Sequence, residues 1–183
     1  MHGTGKITII GVKKLHSITY KVMPDRIEAG TFLCIATITN SNILINKVKP
    51  SDMMAIIKEL KNMGMTCILK KDSIYIKGKR NIKSINVKTM PYPGFPTDIG
   101  PLFASVLTKG KGKSTIEETI FENRFEYCKE LVKMNAKIFI KDRTINIQGP
   151  CKLESKEVNS KDLRGGAALV IAALSVKRKI KYM

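Results

Sequence analysis

The sequence has no tryptophan, two histidines, and four cysteines spread from Cys34 through Cys67 and Cys128 to Cys151 without a C-x-x-C spacing. This scarcity excludes a zinc site built on paired ligands and a disulfide frame; the thiols read as reduced, as in a cytoplasmic protein. Aromatic residues make up 6% of the chain, too few for the stacking platforms on which single-stranded nucleic acids lie. No run approaches the roughly 20 apolar residues of a membrane span. The opening residues Met1-His2-Gly3-Thr4-Gly5-Lys6 lack the apolar core of a signal peptide. Acidic residues are also few: 15 against 33 Lys+Arg in 183 residues, a formal charge of +18.

That charge asks for an anionic partner, yet the lysines lie singly or in short runs such as Lys70-Lys71 and Lys177-Arg178-Lys179. No helix concentrates them, so specific nucleic-acid binding is not expected. A small anionic substrate drawn in by a basic field uses the same charge. Gly3-Thr4-Gly5 and Gly110-Lys111-Gly112-Lys113 match no phosphate loop. The apolar share, 43%, is that of a globular chain with a core of its own.

The chain repeats itself. Pro24-Asp25-Arg26-Ile27, Pro96-Thr97-Asp98-Ile99 and Lys161-Asp162-Leu163-Arg164 each lead into an apolar stretch with helical character: Gly30–Ala36, Gly100–Leu107 and Gly165–Leu174. After the first, the spacing of Met53, Ile56, Ile57, Leu60 and Met63 predicts an amphipathic helix over Asp52–Met63, capped by Gly64. The alternating runs Thr66–Leu69 and Ser73–Ile76 follow, turning at Lys70-Lys71-Asp72. The second unit repeats this with a helix over Asn123–Met134 and strands over Ala136–Ile140 and Thr144–Ile147. Middle strands are expected at Ile43–Ile45 and Ser114–Ile116, and an entering strand before each unit. The units end alike, Ile76-Lys77-Gly78 against Ile147-Gln148-Gly149. Their bounds are about 18–78, 84–149 and 150–183, and the third stops after one helix and a short strand over Val176–Lys181. First helices that are apolar nearly all round should be buried, with strands outside. Two full units and a part of a third read as a truncated chain, a single incomplete α/β domain over residues 1–183.

Chemistry gathers at the joints. Two prolines and a glycine in Tyr92-Pro93-Gly94-Phe95-Pro96-Thr97-Asp98 place Asp98 at a helix N-terminus. Thr97 or Asp98 can simply cap that helix; Asp98 can also serve as a general base toward a sugar hydroxyl. Arg26, Arg124 and Arg164 each sit at or beside a joint, where guanidinium groups can clamp carboxylate or phosphate, or merely pair with aspartates. Cys34 and Cys128 fall on helices as packing residues, and the methionines, Met53, Met54 and Met63 among them, read as core.

Four stretches together resemble the UDP-N-acetylglucosamine 1-carboxyvinyltransferases, a family of enolpyruvyl transferases: Pro24–Thr31, Tyr92–Asp98, Glu118–Phe125, and Asp162-Leu163-Arg164 before a small-residue helix. The resemblance runs from about Gly5 to Leu174. It implies the EPSP synthase-like architecture of inside-out α/β barrel domains made of βαβαββ repeats, here with the third repeat truncated. It implies transfer of enolpyruvyl from phosphoenolpyruvate to the sugar 3-hydroxyl, the step that commits the UDP-sugar to peptidoglycan and so to cell wall, cell shape and cell division. By motif, Asp98 takes the hydroxyl proton and contacts the sugar, and Ile120 with Phe121 lines the UDP-sugar site. Arg124 faces phosphoenolpyruvate, with Asp25, Arg26, Asp162 and Arg164 forming a charged wall around it. No metal or cofactor is implied; the location is cytoplasmic.

The departures matter. The family's first catalytic domain, with its lysine-asparagine pair and the mobile loop that protonates C3, has no counterpart among these residues. The expected partner is therefore that first domain, in cis or in trans, with no membrane involved. Gly100 stands where glutamine is usual, and Gly165-Gly166 is more flexible than the usual pair. Three functions follow: a portion of the transferase, an inactive half-site module for a UDP-sugar, or a basic nucleic-acid binder whose binding to RNA falls steeply with salt.

Overall fold

The computed structural model describes residues 6–122 and 124–176. Helix α1 (Arg26–Thr39) begins where the Asp25 carboxylate accepts hydrogen bonds from the N–H groups of Ile27 (2.7 Å) and Glu28 (3.3 Å). That cap satisfies two donors that the first turn leaves without helical partners. Asn40, left-handed at φ 56°, ends the helix. β1 (Asn42–Asn46) follows, then a 3-10 turn at Pro50–Met53, α2 (Met54–Asn62), β2 (Thr66–Leu69) and β3 (Ser73–Lys77). Gly64, at φ +97°, supplies the reversal after α2.

The order then recurs. β4 (Asn86–Lys88) leads into α3 (Gly100–Leu107), β5 (Gly112–Glu117), α4 (Glu126–Lys133), β6 (Ile138–Lys141) and β7 (Thr144–Gly149). Helix α5 (Leu163–Leu174) follows, capped by Asp162 as α1 is by Asp25. β1, β3 and β2 form one antiparallel sheet in that order. The second sheet has the order β4-β5-β7-β6, with β4 parallel to β5 and the remaining pairs antiparallel. Alternation along each strand turns Ile74 and Ile76, or Ile145 and Ile147, onto the helices and leaves Tyr75 or Asn146 outside.

Every residue of α3 is buried, and α1 and α5 pack against it; Ser105 Oγ donates to the Ala168 carbonyl across the α3–α5 contact at 2.7 Å. Helices inside and strands outside is thus the arrangement seen, but burial all round belongs to α3 alone. Phe32 on α1 and Leu163, Val170 and Leu174 on α5 are exposed. Among the described residues no strand covers that side of α5, and the strand expected over Val176–Lys181 lies, apart from Val176, outside them.

Other expectations need correcting. The entering strand of the first unit is not formed: residues 6–25 carry no strand, and Ile18, Tyr20 and Val22 are exposed. Among the described residues β1 consequently has no partner on the edge where β5, its counterpart, carries β4. Helix α4 starts at Glu126 instead of Asn123, itself outside the described residues, because tertiary hydrogen bonds hold the preceding residues in another path. Helix α2 is preceded by its 3-10 turn, which rotates Met54 outward; Met53 and Met63 are core residues as expected.

Both unit-closing glycines have a steric reason. A Cβ on Gly78 would lie 2.6–2.7 Å from backbone atoms of Asn40 and Ser41, where the chain leaves α1. On Gly149 it would meet the carbonyl oxygens of Gly110, Leu107 and Thr108, where the chain leaves α3. Gly100 is the opposite case. At φ −50°, its Cβ would find, apart from its chain neighbours, Thr89 and Ile116 methyls at 3.9 and 4.0 Å. Pro101 follows, however, and a Cβ on a helical residue before a proline crowds the pyrrolidine ring, so Gly100→Ala is expected to cost about 1 kcal/mol despite the room around it. A lower urea midpoint with unchanged slope is the check.

Candidate active site

The parallel register of β4 and β5 fixes the site. Lys88 lies opposite Glu117, so the chain leaves both strands at one end, with Thr89 beside Glu118. From Thr89 the chain runs through the rigid 90–98 stretch into α3; from Glu118 it runs through Ile120 and Phe121 to Arg124. Thr119 fastens the two exits, its N–H donating to Thr89 Oγ1 at 2.8 Å and its hydroxyl to the Thr89 carbonyl at 2.5 Å. Phe95 packs edge-to-face on Phe103, ring centres 4.8 Å apart, which pins the stretch before Asp98 onto α3.

Asp98 caps nothing. Its Oδ1 accepts from Arg124 Nη2 at 2.7 Å, and its Oδ2 from Arg164 Nε at 3.2 Å, with Arg164 Nη2 3.1 Å away. The capping reading of Thr97 also fails: its Oγ1 accepts from Arg124 Nη1 at 2.9 Å and donates to Glu118 Oε2 at 2.6 Å. Burial raises the cost of ionising Asp98, but the hydrogen bonds and charges of Arg124 and Arg164 outweigh it and hold the carboxyl below its ordinary range. With 36% of the Asp98 side chain accessible, the group faces solvent and is open to a ligand.

Three of the residues singled out in the sequence, Asp98, Arg124 and Arg164, therefore meet directly, brought from the 3-10 turn before α3, the loop before α4, and the first turn of α5. Arg124 also lies over the Phe121 ring, its Cζ 5.0 Å from the centroid, so Phe121 and the half-exposed Ile120 share the neighbourhood. Arg26 reaches the same region only through Tyr92, its Cζ 5.2 Å from that ring's centre. Asp25 and Asp162 make no ion pair with Arg124 or Arg164 among the described residues. Their carboxylates are turned onto the first N–H groups of α1 and α5. The first turn of α1 packs on the turn before α3, with Gly30 against Ile99, so the N-termini of all three inner helices gather at one end. Their dipoles add positive potential there.

Residues that sequence reasoning did not single out complete the site. Glu118, 3% exposed, accepts at Oε1 from the Thr89 hydroxyl (2.9 Å), Ile120 N–H (2.8 Å) and Phe121 N–H (3.1 Å). Arg143 braces the same loop, donating to the carbonyls of Glu118 (3.0 Å) and Phe121 (3.3 Å). A signal for Glu118 was present: Ser114, Ile116 and Glu118 alternate onto the buried face, where a carboxylate is anomalous without a function. Among the described residues no group of three or more His, Cys, Asp or Glu side chains could hold a metal, and no helix is long and apolar enough to cross a membrane.

Comparison with known proteins gives the setting. The profile of the EPSP synthase (3-phosphoshikimate 1-carboxyvinyltransferase) family matches residues 1–182. A UDP-N-acetylglucosamine 1-carboxyvinyltransferase of Pelagibacter ubique is 44% identical over 173 residues, 94% of this chain and 42% of that protein. A protein of the same name from Caldanaerobacter subterraneus, with the suffix 2, is 46% identical over 178 residues, 96% of this chain and 42% of its own length. The chain thus spans less than half the length of these curated relatives. Among solved structures, the enolpyruvyl transferase NikO from Streptomyces tendae superposes with a TM-score of 0.76 at 24% identity, over 85% of this chain and 37% of that one. EPSP synthase from Acinetobacter baumannii gives 0.65 at 14% identity, over 86% and 38%. The two structures establish a shared fold.

Proposed function

This chain belongs to the EPSP synthase family, and from that premise we propose that it forms one wall of a UDP-N-acetylglucosamine 1-carboxyvinyltransferase active site. The observation that carries the reading is the junction of Asp98 with Arg124 and Arg164 beside the Ile120–Phe121 loop. It supplies one carboxylate for a hydroxyl proton and two guanidinium groups for an anion. The chain's relatives bear the name of this enzyme, and its role in peptidoglycan precursor synthesis, cell shape and division in the cytoplasm follows from the same reading.

In the reaction the sugar 3-hydroxyl oxygen bonds to C2 of phosphoenolpyruvate while C3 gains a proton. A proton then leaves C3 as the C2–O bond to phosphate breaks, giving the enol ether and inorganic phosphate. Asp98 takes the hydroxyl proton as the C–O bond forms. Paired with both arginines it is a weak base. An incoming carboxylate or phosphate that draws Arg124 and Arg164 to itself removes the charges that depress its pKa, so substrate binding prepares the base. The same guanidinium groups then stabilise an intermediate with negative charge on carboxylate and phosphate. No proton donor to C3 is assigned among these residues. The remaining wall comes from the first domain of a longer protein or from another chain, in keeping with the 42% of the relatives' length spanned here.

Titration of the chain with UDP-N-acetylglucosamine, followed by backbone amide NMR, is the test. Selective shifts at Asp98, Ile120 and Phe121 are the expected result; a folded chain whose spectrum does not respond overturns the half-site reading.

A further inference from the structure

We propose that Glu118 is the positioning residue of this site: it clamps the 118–121 loop by its backbone and, through Thr97, sets the pose in which Arg124 holds Asp98. All its partners are donors, two backbone N–H groups and the hydroxyls of Thr89 and Thr97. Only an ionised carboxylate accepts from all of them without offering a proton back. The successive N–H groups of Ile120 and Phe121 wrap Oε1 as a small backbone nest wraps an anion. Those amides are thereby used internally, and the loop shows a ligand its Ile120 and Phe121 side chains.

The other oxygen fixes a direction. Because the Thr97 hydroxyl donates to Glu118 Oε2, its lone pairs are left for Arg124 Nη1, and the Nη2 of the same guanidinium then lies on Asp98 Oδ1. Glu118 makes no direct ion pair among the described residues. Its charge acts on Arg124 across a single hydroxyl. Taking the loop and Asp98 to face a UDP-sugar, as proposed above, one buried side chain couples the surface that holds the nucleotide sugar to the group that deprotonates it.

Glu118→Gln retains the shape and removes this polarity. If its oxygen keeps the nest, its NH2 faces Thr97, whose hydroxyl proton loses its acceptor. In the full chain, amide NMR of Glu118→Gln should show the Ile120 and Phe121 protons moving upfield while those of Leu102 and Phe103 in α3 stay in place. The carboxyl 13C titration of Asp98 should move upward toward the ordinary carboxylate range, and the dissociation constant for UDP-N-acetylglucosamine should rise about tenfold, the worth of one charge-assisted hydrogen bond. Thr97→Ser should leave the Asp98 titration unchanged, whereas Thr97→Val should raise it without moving the two amides. Unmoved amides with an unmoved Asp98 titration in Glu118→Gln overturn the proposal. Should that variant not fold, an Asp98 titration identical in Thr97→Val and the parent chain overturns it. A parent chain that ignores the UDP-sugar while the amides and Asp98 respond as stated overturns the functional reading and supports the clamp.

Discussion

Asp98→Asn is expected to lower turnover by about a hundredfold to ten-thousandfold, the usual contribution of a positioned general base. The assay joins this chain to the first half of a curated relative, fused or in trans, and follows phosphate release that depends on the UDP-sugar. Asparagine keeps the size of the side chain and one acceptor for Arg124 or Arg164, so binding of the UDP-sugar should suffer much less than turnover. Phosphate release at the parental rate would remove Asp98 from the chemistry. The pH dependence carries a sign. The folded pKa of Asp98 is depressed, despite burial, by Arg124 and Arg164. Its stabilising share is therefore fully present above the unfolded value, roughly 3.9, and is lost as pH falls through the lower folded value. The parent should lose stability on acidification over that window more steeply than Asp98→Asn. The difference is small because the pair is partly solvated.

The second large effect is steric. Gly149→Ala should destabilise the chain by about 3 kcal/mol, a fall of roughly 10 °C in Tm for a chain of this length. The added methyl meets three backbone carbonyl oxygens, those of Gly110, Leu107 and Thr108, and no rotamer change moves a carbonyl aside. Relief requires shifting β7 from the end of α3, which breaks its register with β5. Gly78→Ala should behave alike, through Asn40 and Ser41. A urea midpoint for Gly149→Ala equal to the parent's would mean that this approach is looser than the structure has it.

Much of the fold was legible because the chain writes its pattern twice. Two amphipathic helices, paired strands and matching Ile-x-Gly endings constrain one another, and α3, β2 and both aspartate caps follow from local chemistry. What escaped was decided by distant partners. Residues 18–22 have the composition of a strand but pair with no strand among the described residues, and strand identity needs a paired edge. The start of α4 was misplaced because Glu118, Thr97 and Arg124 hold the preceding loop, and helix propensity does not register such bonds. In the site, Asp98, Arg124 and Arg164 were visible as unusual residues at repeated joints. That Asp25 and Asp162 would spend their charge on their own helices was also readable, from the same capping rule wrongly applied to Asp98. Glu118 was hidden in plain alternation.

The burial of all four thiols turns the protein into its own clock. Burial pushes the thiols of Cys34, Cys67 and Cys128 away from thiolate formation, that of Cys128 up to about 12, so an alkylating reagent waits for the surrounding structure to open. Cys34 and Cys67 lie in the first unit and Cys128 in the second; Cys151 follows the second unit's last residue and is tied to it, its N–H donating to the Thr108 carbonyl and its Sγ accepting from the Lys137 N–H. Matching labelling rates at all four mean that the two units come apart as one cooperative body. Rates that split by unit mean that the duplicated pattern also carries two separate lifetimes.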